Sequence, residues 1–168
     1  MAHLYYTDHS LAGSPDSVSL EGDEARHAAS VARLRVGEAV AISDGAGRIA
    51  DGVARAVSPT RVTLDVSAIR EPRVVSPTLT LVQALAKGDR DELAVQMCTE
   101  LGVSEIVPWQ AERSISRWTG EKTAKGRARW ATIAREASKQ ALRATIPTVT
   151  DIMSTTQLVS MAKGRTLI

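Results

Sequence analysis

The hydrophobic pattern changes near residue 70, and this change constrains the fold more than any other feature of the sequence. Before it, short alternating segments are separated by turns that contain glycine or proline. After it, the nearly continuous apolar run Leu79–Leu85 precedes a helical pattern and a second apolar run, Glu105–Trp109. A chain of 168 residues is long enough for two small domains. We therefore predict a two-domain α/β protein, and we place the linker between its domains at the proline-containing segment Arg70–Pro77.

Short strands dominate the predicted first domain. Turns at Asp44–Gly47 and Ser58-Pro59 separate three strand-like segments, which are Ala39–Ser43, Ile49–Val57 and Arg61–Ile69. Apolar and polar residues alternate in the third segment, which is the period of a half-buried strand. Regularly spaced short strands predict a small β-barrel.

One helix is predicted inside this first region, over Asp23–Leu34. Its small and branched apolar residues are expected to pack inward, namely Ala28, Val31 and Ala32. Its basic residues stay available on the outside, namely Arg26, Arg33 and Arg35.

The second region predicts a βαβ unit of parallel strands. Leu79–Leu85 has the composition of a strand that is buried on both faces. Asp89 is predicted to cap the helix that follows, with Glu92 as its capping-box partner. Three apolar residues at a spacing of four define the predicted inner face of that helix, namely Leu93, Met97 and Leu101. Gly102 suits its C-terminus.

A longer helix is predicted over Lys122–Ala144, and Pro147 marks its end. Its apolar face comprises Trp130, Ile133, Ala134, Ala137 and Ala141. The final residues, "GRTLI", have the pattern of a strand that is beginning, so we expect the domain to continue beyond Ile168.

The Lys-Gly-Asp turn at residues 87–89 does not match the common phosphate-binding loops. It has one glycine, and its lysine precedes that glycine, unlike a Walker loop. The glycine fingerprint of dinucleotide-binding proteins is also absent, which argues against a nucleotide-dependent oxidoreductase. Lys87 and Arg90 nevertheless stand near the carboxyl end of a predicted strand, where open α/β sheets bind ligands.

Composition narrows the chemistry further. Cys98 is the only cysteine and His3, His9 and His27 lack metal-ligand spacing, so we predict no metal site. Cys98, His27 and Trp130 are interpreted as packed structural residues, whereas Trp118 is expected to be exposed in a polar loop. The chain has no apolar signal segment and no membrane-length apolar run, so we expect a cytoplasmic protein.

Positive charge is concentrated in one stretch. From Arg113 to Arg143, nine lysines and arginines face only Glu121 and Glu136, although the net charge of the chain is +2. Such clustering suits a polyanionic partner, and it is equally typical of a solvated helix face.

Three motifs, in this order, resemble the bacterial RsmE family. They are "HAASVARLRVGE" (27–38), "QALAKGDRDELAVQMCTELGVSEIVPWQAERS" (83–114) and "RWATIAREASKQALRATIP" (129–147). The family comprises 16S ribosomal RNA uracil-N3 methyltransferases of the SPOUT class, and the similarity covers nearly the whole chain. Ala32 stands where the family commonly has leucine.

This resemblance implies a PUA-like RNA-binding β-barrel over residues 1–73. Residues 74–168 would be the first part of a Rossmann-like SPOUT domain, ending before its trefoil knot. In the family, the knot holds S-adenosylmethionine through a Gly-Pro-Glu-Gly-Gly loop, which the 168 residues lack. The cofactor-binding residues are therefore expected beyond Ile168, and these residues alone are expected to be inactive. Members of the family also act as homodimers. We expect no membrane partner.

The substrate implied is 16S ribosomal RNA or the small ribosomal subunit. We interpret Arg113 and Lys87 as the catalytic candidates, because they follow the two strands of the βαβ unit. The candidates for binding RNA phosphates are Arg33, Arg35, Arg129, Lys139 and Arg143. The alternative function is a non-catalytic RNA-binding module, which explains the barrel and the basic stretch equally well.

Overall fold

Alternating apolar residues fold the first part of the chain into a five-stranded sheet. A computed structural model describes residues 4–71 and 76–166, and they group into two units. The first unit contains residues up to Val75 together with Ala141–Thr145, and the second contains Ser76–Gln140 and Ile146–Ile168. The predicted domain boundary at 73/74 and half of the predicted linker, residues 72–75, lie outside the described residues.

The three strands predicted in the first unit are confirmed, and the structure adds two earlier strands. The strands are β1 (Leu4–Tyr6), β2 (Ser17–Glu21), β3 (Ala39–Ser43), β4 (Ile49–Val57) and β5 (Arg61–Arg70). They pair in the order β1-β3-β4-β5-β2, and every pair is antiparallel except β1 with β3. The Thr7 hydroxyl, just after one edge strand, donates to the Ser19 carbonyl of the other edge strand at 3.2 Å. The sheet therefore curls around one core, which includes Tyr5, Val18 and Leu64.

The predicted helix over Asp23–Leu34 is only partly confirmed. It is a short helix α1 (Gly22–Arg26) that continues as a π-helical turn over His27–Val31. Ala28 is buried as predicted, but Val31 is 68% exposed, so its predicted inward orientation is wrong. In a π-helical turn, hydrogen bonds join residues five apart, whereas in an α-helix they join residues four apart. The wider winding therefore changes which residues face the core.

The second unit has the predicted βαβ arrangement. Its elements are β6 (Thr80–Ala84), α2 (Arg90–Glu100), β7 (Glu105–Gln110), α3 (Glu121–Gln140), β8 (Thr148–Val149), β9 (Met153–Ser154) and α4 (Thr155–Met161). β6 and β8 lie on either side of β7, β9 pairs with the far end of β7, and all these pairs are parallel. The predicted burial of the first strand on both faces is wrong, because Val82 is 38% exposed. No described helix has the length and apolarity to cross a membrane.

Two predictions about α2 are wrong. Asp89 occupies the N-cap position without a side-chain cap hydrogen bond, and Glu92 instead pairs with Arg129. The predicted inner stripe is also exposed, at 54% for Leu93, 52% for Met97 and 81% for Leu101. The buried face comprises Asp91, Val95 and Thr99. Gly102 does adopt a left-handed φ of +107° just beyond the helix, as predicted.

α3 ends earlier than the sequence predicts. Trp130, Ala134 and Ala137 are buried as predicted, but the helix stops at Gln140, and Leu142 takes a left-handed φ of +53°. The following residues belong to the first unit, where the Ala144 carbonyl accepts hydrogen bonds from the Ser43 hydroxyl and the Gly47 N–H. These contacts, rather than Pro147, end the helix.

Candidate functional site

The carboxyl ends of β6 and β7 are held together by backbone and hydroxyl hydrogen bonds. The Leu85 N–H donates to the Trp109 carbonyl at 2.9 Å, which extends the ladder by one residue. The Leu85 carbonyl accepts from the Ser114 hydroxyl at 3.0 Å. The chain after β7 is thus fixed beside the chain after β6.

The next residue, Ala86, is held in the same way from both sides. Its N–H donates to the Asp91 carboxylate at 3.1 Å, and its carbonyl accepts from the Ser116 hydroxyl at 2.6 Å. Asp91 is only 6% exposed, and its other carboxylate oxygen accepts the Glu92 N–H. A buried carboxylate that accepts two N–H groups is well satisfied.

This framework presents three cations at one edge of the sheet. Lys87 lies on the turn after β6, Arg90 is the first residue of α2, and Arg113 lies on the loop after β7. All three are exposed. Within residues 76–166, none of them forms an ion pair with a carboxylate. They are therefore available to a polyanion without first breaking an internal contact.

Much of the positive charge on α3 is, in contrast, already paired. Lys125 pairs with Glu121, and Arg127 pairs with Asp151. Arg129 contacts the Glu92 carboxylate through two of its nitrogens, the closer at 2.8 Å. The hydrogen bonds and charge of Glu92 raise the pKa of Arg129. An RNA phosphate would have to compete with that carboxylate.

The two remaining candidates on this stretch lie at and beyond the end of α3. Lys139 is half-buried in the last turn. Arg143 lies beyond the helix and belongs to the first unit, where its guanidinium contacts the Thr145 hydroxyl at 3.3 Å. Burial lowers the pKa of Arg143. Its carbonyl accepts from the Tyr6 hydroxyl at 2.7 Å, so Arg143 is also part of the packing of this unit.

Within residues 4–71, the side chains of Arg33 and Arg35 are distinguished by their lack of carboxylate partners. Most other arginines of the first unit pair with an acid, as in Arg26–Asp23, Arg48–Glu71, Arg55–Asp65, Arg61–Glu21 and Arg70–Asp51. Neither the Arg33 nor the Arg35 side chain does so among residues 4–71, and both are exposed. Arg33 follows the π-helical turn in a left-handed conformation, with φ of +56°. The two arginines thus resemble Lys87, Arg90 and Arg113, which are also exposed and form no ion pair among the described residues.

The structural roles predicted for single residues are confirmed except at one tryptophan. Trp130 is 1% exposed, Cys98 packs against the core of the second unit, and His27 lies edge-on to Tyr5 with ring centroids 6.1 Å apart. Trp118 is not exposed as predicted, because it packs edge-on against Trp130 with ring centroids 5.0 Å apart. The backbone N–H of Trp118 donates to the side-chain carbonyl oxygen of Gln110 at 2.9 Å.

Sequence reasoning missed Ser114, Ser116 and Asp91. A serine pair two residues apart after a strand is a weak signal, since serine hydroxyls bind nearby backbone in many loops. The missed helix α4 had a stronger signal. Its Ser154 and Gln157 form a capping box, and the S-x-x-Q pattern is readable in the sequence.

Comparison with protein families identifies the class. The family model described as "RNA methyltransferase domain" matches residues 74–168, and one described as "RNA methyltransferase PUA domain" matches residues 20–67. The chain therefore belongs to the RNA methyltransferase family, and its two units correspond to a PUA-like domain and a methyltransferase domain.

Individual relatives confirm the resemblance to the RsmE family. Ribosomal RNA small subunit methyltransferase E of Mycobacterium bovis is 38% identical over 97% of this chain and 62% of its own length. The Bacillus subtilis protein of the same name is 33% identical over 84% of this chain and 56% of its own length. The chain thus spans less than two thirds of these relatives.

Solved structures give the same result for the fold. The structure of ribosomal RNA small subunit methyltransferase E from Neisseria gonorrhoeae bound to S-adenosyl methionine has a TM-score of 0.80 and 29% identity, covering 99% of this chain and 67% of that one. A putative methyltransferase from Legionella pneumophila with bound cofactor has a TM-score of 0.83 and 26% identity, covering 98% and 68%.

Proposed function

We propose that this chain recognises RNA within a methyltransferase that transfers a methyl group to N3 of a uridine in 16S ribosomal RNA. The observation that carries the proposal is the group of exposed cations Lys87, Arg90 and Arg113, which form no ion pair within residues 76–166, in a chain of the RNA methyltransferase family. The substrate is the small-subunit RNA, by analogy with the names of the Mycobacterium bovis and Bacillus subtilis relatives.

The chemistry requires cations beside the target base. Uracil N3 carries a proton and takes part in base pairing, so the base must leave its pair before N3 can react. Flipping a base out of a helix costs a few kcal/mol, which contacts to the surrounding RNA must offset. The N3 proton passes to solvent water and leaves an anion on the base, and fixed cations stabilise such charge. We assign this role to Arg113 and Lys87.

The other basic residues hold the RNA backbone. Arg33 and Arg35 are exposed and uncompensated, which suits contact with phosphates. Arg129 joins them only by exchanging Glu92 for a phosphate, while Lys139 and Arg143 contribute from partly buried positions. Phosphate contacts set the orientation of the RNA and carry little sequence information.

The methyl donor of the proposed reaction is S-adenosylmethionine, which supplies an electrophilic methyl group. Lys87, Arg90 and Arg113 suit anionic groups, namely the RNA phosphates and the N3 anion of uracil, better than the positively charged sulfonium of this cofactor. We therefore assign these three residues to the RNA. The Gly-Pro-Glu-Gly-Gly loop expected to hold the cofactor does not occur in the 168 residues, so we propose that they are inactive alone. At full length the protein acts as a cytoplasmic homodimer.

The test is methylation of unmodified small-subunit RNA by the protein at the full length of its relatives. Mass spectrometry would map the methyl group, which we expect on N3 of one uridine. Arg113→Ala should lower the rate, and Arg135→Ala, on α3, provides a variant with the same loss of charge elsewhere. Methylation by Arg113→Ala at the unsubstituted rate would contradict the role of Arg113. RNA binding without any methylation would favour a non-catalytic RNA-binding module.

A further inference from the structure

The turn that carries Lys87 is anchored at every backbone polar group of the two residues before it. The Leu85 N–H and carbonyl contact Trp109 and Ser114, and the Ala86 N–H and carbonyl contact Asp91 and Ser116. Ordinary turns leave several of these groups to water, since loops run over the surface. Because all four backbone polar groups of Leu85 and Ala86 are hydrogen-bonded within the protein, the backbone that leads into Lys87 is fixed.

The residue after Lys87 is a glycine, which makes the hydrogen bonds before Lys87 more important for its position. Gly88 follows Lys87 directly and has a left-handed φ of +77°, with open space where a β-carbon would lie. Glycine permits many backbone conformations, so the residue beside it is poorly fixed unless other contacts hold it. The Asp91 carboxylate reaches back across the turn to the Ala86 N–H and closes a loop of these residues.

Of the two serine hydroxyls, only that of Ser116 donates to a single carbonyl within residues 76–166. Its oxygen lies 2.6 Å from the Ala86 carbonyl oxygen. The Ser114 hydroxyl, in contrast, lies near two carbonyl oxygens, those of Leu85 at 3.0 Å and Ser116 at 2.9 Å. A hydroxyl has only one hydrogen to donate, so Ser114 divides its donation and Ser116 does not.

We propose that Ser116 is a positioning residue, which fixes Lys87 for contact with an RNA phosphate or base by holding the Ala86 carbonyl. Ser114 and Asp91 support the same turn. This inference rests on the proposed function, since it requires that Lys87 contacts RNA. Ser116 itself has no contact with the RNA in this arrangement.

The test is a double-mutant cycle on the 168-residue chain, read by fluorescence anisotropy with a labelled, uridine-containing single-stranded RNA. Lys87→Ala should weaken binding and lower the slope of log affinity against log salt by about 0.7, the value for one lost phosphate contact on a single strand. Ser116→Ala should weaken binding and lower that slope similarly, although it removes no charge. Lys87→Ala/Ser116→Ala should bind like Lys87→Ala.

Two further variants separate positioning from general damage. Ser116→Thr keeps the hydroxyl and should restore binding, whereas Ser116→Cys keeps the volume with a poor donor and should behave like Ser116→Ala. Circular dichroism checks that each variant is folded, and Ser116→Cys replaces Ser116→Ala if the latter is not. Ser67→Ala is the matched control, because Ser67 donates a similar hydrogen bond to the Asp51 carbonyl at 3.0 Å. It should bind RNA like the unsubstituted chain.

The outcomes distinguish the two levels of the proposal. If Lys87→Ala weakens binding but Ser116→Ala does not, or if their effects add, Ser116 does not position Lys87 and the proposed function stands. If Lys87→Ala binds RNA as well as the unsubstituted chain, both the contact of Lys87 with RNA and the positioning role are wrong.

Discussion

At the residue scale, α2 carries two rows of side chains with the same helical spacing, and only one of them is buried. Along α2, Leu93, Met97 and Leu101 recur every four residues, and so do Asp91, Val95 and Thr99. Helical periodicity fits both stripes, and hydrophobicity favours the wrong one. The second stripe is buried because Asp91 closes the turn after β6 and Val95 contributes to the core. Such long-range contacts are absent from local patterns.

Gly126 illustrates a residue whose role depends on a distant neighbour. An alanine β-carbon there would lie 2.4 Å from the Trp118 indole. In an exposed helix, glycine to alanine stabilises by roughly 1 kcal/mol, but overpacking costs about 1–3 kcal/mol. We therefore expect Gly126→Ala to lower the free energy of unfolding, measured by denaturant titration. Gly126→Ala in a Trp118→Leu background should recover much of the loss, and a stabilised Gly126→Ala would show that the indole moves away freely.

Tyr5 gives a prediction for alkaline pH. Burial, with a further contribution from the charge of Glu24, raises the pKa of Tyr5 above its ordinary 10.0. The folded state thus favours the neutral phenol. The stabilisation is fully present below pH 10 and is lost as the pH rises through the folded-state pKa. Thermal melting from pH 8 upward should show Tyr5→Phe losing less stability above pH 10 than the unsubstituted chain. Equal losses would assign the alkaline transition to other groups.

At the element scale, strands separated by clear turn residues are predicted almost to the residue, and helix ends are not. β3 and β4 match their predicted bounds because glycine and proline turns delimit them. α3 is predicted to run to Ala144, since Ala141, Leu142 and Arg143 are all good helix formers. The helix stops at Gln140 because the next residues form hydrogen bonds within the first unit. The Ser114–Leu85 and Ser116–Ala86 contacts were unpredictable for the same reason, because they link loops about 30 residues apart.

The pairing of β4 with β5 depends on one glycine. The register shifts between Asp51 and Gly52, and there a β-carbon on Gly52 would lie 2.0 Å from the Asp65 carbonyl oxygen. Backbone cannot give way as a flexible side chain can, so we expect Gly52→Ala to destabilise the first unit by about 3 kcal/mol. Val53→Ala, at the exposed neighbouring position, should change stability little. Thermal denaturation of both variants would test this, and similar melting temperatures would argue against the close approach.

At the scale of the whole molecule, the two-domain α/β organisation is predictable because the hydrophobic period itself changes along the chain. The kind of each domain is harder to derive, since short strands fit many barrels and a βαβ unit fits many sheets. The family assignment therefore depends on the motifs at residues 27–38, 83–114 and 129–147, and on the matching family models.

Cofactor binding tests the proposal that these 168 residues do not form the S-adenosylmethionine site by themselves. Isothermal titration calorimetry of the 168-residue chain with S-adenosylmethionine should show no tight binding, because the Gly-Pro-Glu-Gly-Gly loop expected to hold the cofactor does not occur in it. The Neisseria gonorrhoeae relative, whose solved structure contains the cofactor, serves as the positive control. Tight binding by the 168-residue chain would show that its own residues form a cofactor site.

The five residues Ala141–Thr145 determine whether the first unit can be expressed separately or transferred to another protein. A gene fragment ending near residue 75 would encode every strand of the first sheet, yet it would leave the Tyr6 and Ser43 hydroxyls without the carbonyls of Arg143 and Ala144. The sheet is therefore not a self-contained cassette. Grafting it onto another enzyme, or expressing it in isolation, requires supplying that pentapeptide as well.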